Sequence, residues 1–358
     1  MDETFMFVHI THEVNFTIFD TKWLPQTAKF AAIGAKTNGT GGLIKVFELN
    51  GKQLDITREI SRQNAFKCSA FGLSRTKNYY LAVGDFGGSL QIIDLDRFDV
   101  FNIDNAHKGV INAIDAAGSQ KNRGATEIVT GGQDGHVKVW DPRCNYAVVQ
   151  LMPKQGTKRP DCWSVAFGDS YNRFERCVFA GFDNGDIKLF DLRTLKERWD
   201  VNVGNGVCGL EMDNKYEPLR KLVACTTFGG IHAYYFDECD APVPMYAFAK
   251  DTISCETNAI SDNIRGKTNP TIWCVRHLPQ NRDIFATCSS SGMLKVWQSP
   301  KESCNFETNS LKVMCKLSLG NKLINCFDWS PDRTGLGVCS SFDKKIRVIA
   351  SVNMPLGQ

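Results

Sequence analysis

Six histidines, at 9, 12, 107, 136, 232 and 277, are the residues best able to bind a metal or carry a proton. They lie dispersed, without the close ligand pairs of a zinc centre. His12-Glu13 comes nearest to a His-Glu-x-x-His helix, and the rest of that motif is absent. No Gly-x-x-x-x-Gly-Lys-Ser/Thr loop is present to cradle a phosphate, nor a Gly-x-Ser-x-Gly elbow to expose a nucleophile. Acids drawn together from distant segments are the one remaining route to catalysis, and nothing local suggests them. The expectation is therefore no catalytic residue, no cofactor and no metal.

Fourteen cysteines are scattered without a single Cys-x-x-Cys, most of them at apolar positions of strand-like runs. They read as buried thiols in a reducing compartment rather than a disulfide scaffold. The Asn-x-Thr sequons at Asn15 and Asn38 have no meaning without secretion. Lys plus Arg number 42 against 39 acids, and a net charge of +3 gives no field that would select nucleic acid or an anionic membrane. No apolar run approaches the ~18 residues of a spanning helix, and Met1-Asp-Glu-Thr lacks a basic signal-peptide start. A soluble, unexported chain located in the cytoplasm is expected.

The elements behind these residues are hairpins. In the stretch Gly131 to Arg143, Asp134-Gly135 is a tight-turn pair, Val137, Val139 and Trp140 follow as a period-2 strand, and Asp141-Pro142 ends it. Variants recur with anchors at Gly42, Gly88, Gly135, Gly185, Gly229, Gly292 and Lys344, spaced by 46, 47, 50, 44, 63 and 52 residues. Some 20–24 residues ahead of their anchors lies a second short β pattern, as in Ile18 to Trp23, Cys162 to Phe167 and Ile324 to Trp329. Such a period describes units of four short strands that must stack to hide their apolar faces. The last unit lacks a fourth strand, while Phe5 to Ile10 is an apolar segment with no hairpin of its own. Pairing the two removes an open edge and closes a ring. Two polar stretches, 238–270 between the fifth and sixth units and 299–310, read as irregular surface loops.

These units resemble WD repeats, and seven of them resemble a seven-bladed β-propeller, an all-β fold expected to occupy 1–358 as one domain. The resemblance implies a structural tetrad in the best unit: His107 bonded to Thr130 and Asp134, with Trp140 completing the network. Elsewhere Ala180 replaces the hydroxyl, and Phe228 and Ser291 replace the turn Asp, so those blades are expected to rest on packing. The family pattern also implies which positions reach the narrower rim. They include Phe19, Lys67, Phe86, Asp161, Trp163, Asp183, Trp273 and Phe342. Five large aromatics around one opening form a patch that calls for an occupant. Phe19, Phe86, Trp163, Trp273 and Phe342 are read as anchors for a peptide, with Asp161 and Asp183 favouring a basic or donor-rich segment.

Two further resemblances set the functional expectation. Trp140-Asp-Pro-Arg143 and Phe190-Asp-Leu-Arg193 resemble the signature by which WD-repeat substrate receptors meet cullin-based ubiquitin ligase adaptors. Arg143 and Arg193 would be the contacts in that alternative. More of the chain resembles one orthologue group, a family of axonemal dynein assembly factors. The strings are Asp161-Cys-Trp-Ser-Val-Ala-Phe-Gly168, Gly185 to Arg193, Arg276-His-Leu-Pro-Gln-Asn-Arg282, Trp329-Ser-Pro-Asp332, Val338 to Asp343 and Gly84 to Gly88. This resemblance implies a non-catalytic, monomeric scaffold working with RuvB-like ATPases, tetratricopeptide adaptors and a prefoldin-like module, with dynein chains as clients. A role as an apoptosis-related adaptor is a further alternative.

Overall fold

Short strand-forming runs, with a left-handed residue at the turn before each third strand, build one unit repeatedly along this chain. The computed structural model describes residues 3–37, 39–73, 79–118, 126–152, 159–170, 176–236, 245–250, 269–299 and 311–357. Among them are seven four-stranded antiparallel sheets and no α-helix. The inner strands are Phe16–Trp23, Phe66–Ala70, Ile111–Ala117, Cys162–Gly168, Val207–Met212, Ile272–Leu278 and Ile324–Trp329. Each touches the next, and the seventh touches the first, so the blades stand in a closed ring around a central channel.

Six blades take their four strands in chain order. The seventh runs Phe5–Glu13, Lys345–Val352, Leu336–Ser341, Ile324–Trp329, so the start of the chain supplies its outer strand, as the unpaired segment at Phe5 foretold. Pairing extends from Phe5 opposite Val352 to Glu13 opposite Lys345, three residues beyond the expected end at Ile10. Every third strand is entered through a left-handed residue, Lys344 being the one non-glycine (φ 60°). In the first blade that residue is Gly41 (φ 96°) rather than the neighbouring Gly42. A Cβ at Gly41 would meet the Arg62 carbonyl oxygen at 2.6 Å, so backbone packing as well as φ requires glycine there.

The core lies between blades rather than inside any one of them. Phe16, Trp23, Phe30 and Phe47 of the first blade pack with Ile10, Val338, Ile346 and Val348 of the seventh. Met6 packs on the other side with Ile284, Leu294 and Val296 of the sixth. Among the described residues eight cysteines, including Cys162, Cys225 and Cys288, are buried free thiols, and burial pushes Cys326 up to about 12. One expectation fails within 238–270: Met245–Lys250 is the outer strand of the fifth blade. Tyr246 and Phe248 alternate with alanines there, a two-residue period that the polar sequence on either side hides. The segments 237–244, 251–268 and 300–310 lie outside the described residues.

Candidate interaction site at the channel mouth

Antiparallel hairpins place the turns between second and third strands at one end of the ring, together with the connections that enter the inner strands. That end carries the aromatic residues. Phe19 is half-buried between Phe86 and Phe342, with ring centroids 5.1 and 6.1 Å away, and the Lys67 ammonium stands 5.4 Å from the Phe19 ring. Phe86 is 39% and Phe342 48% exposed, so three blades contribute to one partly wetted cluster. Across the ring, Trp163 is half-buried over Gly206, where a Cβ would come within 2.8 Å of its ring. Trp273 is 39% exposed on the sixth blade.

Phe228, 55% exposed in the fifth-blade turn, adds an aromatic to this end that reading by repeat pattern missed. It occupies the place of the turn Asp in that repeat. Asp183 is exposed beside Asp161, whose carbonyl accepts the Asp183 amide at 3.0 Å. Asn112 and Asn325, which share the level of Phe19 and Trp163, are engaged structurally. Each donates its amide to the next inner strand, at Cys162 O (3.2 Å) and Ile18 O (2.6 Å).

Below the mouth the channel becomes charged. Asp115, Glu211 and Asp328 each accept a backbone amide of the following blade, from Phe167 (2.9 Å), His277 and Trp23 (2.8 Å). Burial pushes Asp328 up to about 6 despite the nearby Lys22 and Arg276 cations. At the far end, residues 213–220 leave the fifth blade and cross beneath the channel. Lys215 reaches Asp115 (2.5 Å) and the Ala116 carbonyl (2.7 Å) of the third blade, and its own carbonyl accepts the Ser170 amide of the fourth (2.7 Å). The Tyr216 hydroxyl accepts the Gly118 amide at 3.3 Å. The channel of about 1330 Å³ is thus lined by residues of both ends, with the strap narrowing the far one along the third to sixth blades.

Structural polar groups account for the remaining sequence candidates. His107 Nδ1 donates to Asp134 at 2.9 Å, and its Nε2 accepts the Thr130 hydroxyl at 2.7 Å. Trp140 Nε1 donates to the same hydroxyl at 2.8 Å. Burial opposes ionisation of Asp134, but bonds from His107 and the amides of Lys108 and His136 outweigh it and hold the carboxyl well below the usual range. Thr130→Val leaves two buried nitrogens unpaired and is expected to cost about 2 kcal/mol in urea denaturation, whereas Thr130→Ser retains most of the stability. Blades that depart from this tetrad carry other networks as well as packing. Trp297 bonds Thr287 at 2.8 Å, and Arg347 bonds Ser341 at 2.6 Å and Asp343 at 2.5 Å.

Arg143 and Arg193 lie at the opposite end of the ring, on turns leading to outer strands. The Arg143 fork is already closed on Asp141 (2.5 and 2.9 Å). Among the described residues no three His, Cys, Asp or Glu gather as a metal site, and no helix is long and apolar enough to cross a membrane.

A ring of such blades, with a polar tetrad and an aromatic mouth, defines a WD-repeat β-propeller. The family model of the WD domain, G-beta repeat, matches residues 100–141, 260–298 and 314–349. A solved structure, that of U3-55K, superposes with a TM-score of 0.71 over 96% of this chain and 98% of that one, at 16% identity, and shows the fold alone. Dynein axonemal assembly factor 10 of Homo sapiens is 42% identical over 95% of both chains, and that of Chlamydomonas reinhardtii 37% over 95% of this chain and 94% of its own. The chain belongs to the dynein axonemal assembly factor 10 family, the Monad group of WD-repeat proteins.

Proposed function

We propose that this chain is a non-catalytic scaffold in the cytoplasmic pre-assembly of axonemal dynein, and that it holds segments of adaptors or immature motor chains at the aromatic mouth. The observation that carries the reading is the set of Phe86, Trp273 and Phe342, partly exposed around one opening, in a chain whose relatives are named for dynein assembly. Large rings that sit half in water gain most when a partner completes their burial, which is why aromatics dominate binding energy at interfaces. RuvB-like ATPases with their tetratricopeptide adaptors and a prefoldin-like module are the proposed company, and dynein chains the clients.

The test is capture from ciliated-cell cytosol with the tagged chain, read by mass spectrometry. Trp163→Ala combined with Trp273→Ala is expected to lower recovery of dynein chains and adaptors at least tenfold, the loss of about 1.4 kcal/mol or more. The melting curve of the double variant should stay close to that of the parent. Undiminished recovery from a folded double variant overturns the assignment of the mouth.

A further inference from the structure

The aromatics of the mouth fall into two groups that face each other. One group, Phe342, Phe19 and Phe86, belongs to the seventh, first and second blades and is continuous, its neighbouring rings 5.1 and 6.1 Å apart. The other, Trp163, Phe228 and Trp273, belongs to the fourth, fifth and sixth. In a ring of seven, the position opposite the first blade lies between the fourth and fifth, so the groups stand on opposite sides of the opening. Each carries a charge of different sign. Lys67 leans over Phe19, and exposed Asp183 accompanies Trp163; neither has an ion-pair partner among the described residues.

Depth limits what can occupy this mouth. The strap of residues 213–220 crosses the far end, anchored on the third blade through Lys215 and Tyr216 and on the fourth through the Ser170 amide. Leu219 also donates its amide to Asp169 of the fourth blade at 2.7 Å. The strap narrows the far end along the third to sixth blades, so the wider approach for a polypeptide is the aromatic side.

Resting on the reading of the mouth given above, we infer that it grips one extended segment of a partner polypeptide at two points. An apolar side chain of the segment seats on each aromatic group, an acidic side chain lies toward Lys67, and a basic one lies toward Asp183. The charges orient the segment, and the two apolar seats supply the affinity. A segment with a single anchor would leave one cluster wetted and bind weakly.

The probe is a random peptide library about 16 residues long, spanning roughly 50 Å when extended, displayed on phage and selected on the purified chain. Selected peptides are expected to carry two apolar anchors separated by several residues, with an acid near one and a base near the other. Phe86→Ser with Phe342→Ser should weaken their binding about thirtyfold, and so should Trp273→Ser with Phe228→Ser, since each removes one anchor point. All four residues are exposed, so these variants should melt with the parent chain. Lys67→Glu with Asp183→Lys should weaken the selected peptides about tenfold and restore affinity for versions with acid and base exchanged. If only one aromatic pair matters, the two-point grip is overturned while the mouth remains a binding site. If the charge exchange restores nothing, the orientation is overturned. If no selected peptide depends on either pair, the grip and the underlying reading of the mouth fall together.

Discussion

Deleting residues 1–13 should cost about 5 kcal/mol or more, a large share of the stability of a typical domain, and leave a chain that aggregates or melts without cooperativity. The deleted strand, Phe5–Glu13, pairs along its length with Lys345–Val352. It also buries Met6 against the sixth blade and Ile10 against the first, so its loss opens two interblade cores at once. Each of those side chains contributes about 1.5–3 kcal/mol by burial, and the bared edge offers unpaired amides to another molecule. Phe5→Ser and Phe7→Ser, at exposed positions of the same strand, should change stability by less than about 1 kcal/mol. Because the link is non-covalent, a synthetic peptide of residues 1–14 should restore a cooperative transition to the truncated chain. A truncated chain that melts cooperatively within about 2 °C of the full one would show that the ring closes without this strand.

Asp213→Ala should be nearly as damaging although it removes one small side chain. The Asp213 carboxylate, fully buried, accepts Arg282 Nε at 2.9 Å and Arg220 Nε at 3.1 Å. Arg220 continues to Asp283 at 2.5 Å, and Lys221, also buried, donates to the Ser299 hydroxyl at 2.8 Å. Burial already lowers Lys221 to about 8, and nearby Asp213 is the main group opposing that fall. Removing the acid leaves Arg220 on Asp283 and Arg282 on Glu217, but takes from buried Lys221 its nearest opposing charge and leaves a buried gap between the two guanidiniums, and a broken buried ion pair costs about 3–5 kcal/mol. Asp141→Ala, which releases only the exposed Arg143, should leave stability almost unchanged.

The sign of the pH dependence follows. Burial works against the Asp213 charge, yet its bonds to Arg282 and the charges of His277, Arg282 and Lys221 hold its pKa below the ordinary carboxylate value. A carboxyl depressed in the folded state contributes stability that is fully present above its unfolded pKa of about 3.9 and is lost as pH falls through the folded value. Acid titration of the parent chain should therefore show a loss of stability below about pH 4 that is smaller in Asp213→Asn.

The hairpins, the inner strands and the borrowed outer strand were legible in the sequence because each is written locally: a turn pair, a two-residue period, an apolar run without a partner. Met245–Lys250 escaped because six residues of alternation sit inside a polar context that says loop. The strap escaped for a different reason. Lys215 meets Asp115 across 100 residues, and nothing in Asp-Asn-Lys-Tyr-Glu-Pro marks it as a bridge. Phe228 was visible in the sequence, but the repeat pattern classed it as a missing aspartate rather than as a ring added to the mouth.

The seventh sheet joins partners at opposite limits of the described chain: Thr4 bonds the carbonyl of Asn353, 349 positions away. On the ribosome, the strand Phe5–Glu13 must wait roughly tens of seconds before Lys345–Val352, its mate, is synthesised. During that interval Met6 and Ile10 lack the partners they pack with in the folded ring, and the nascent protein exposes an unpaired, adhesive strand.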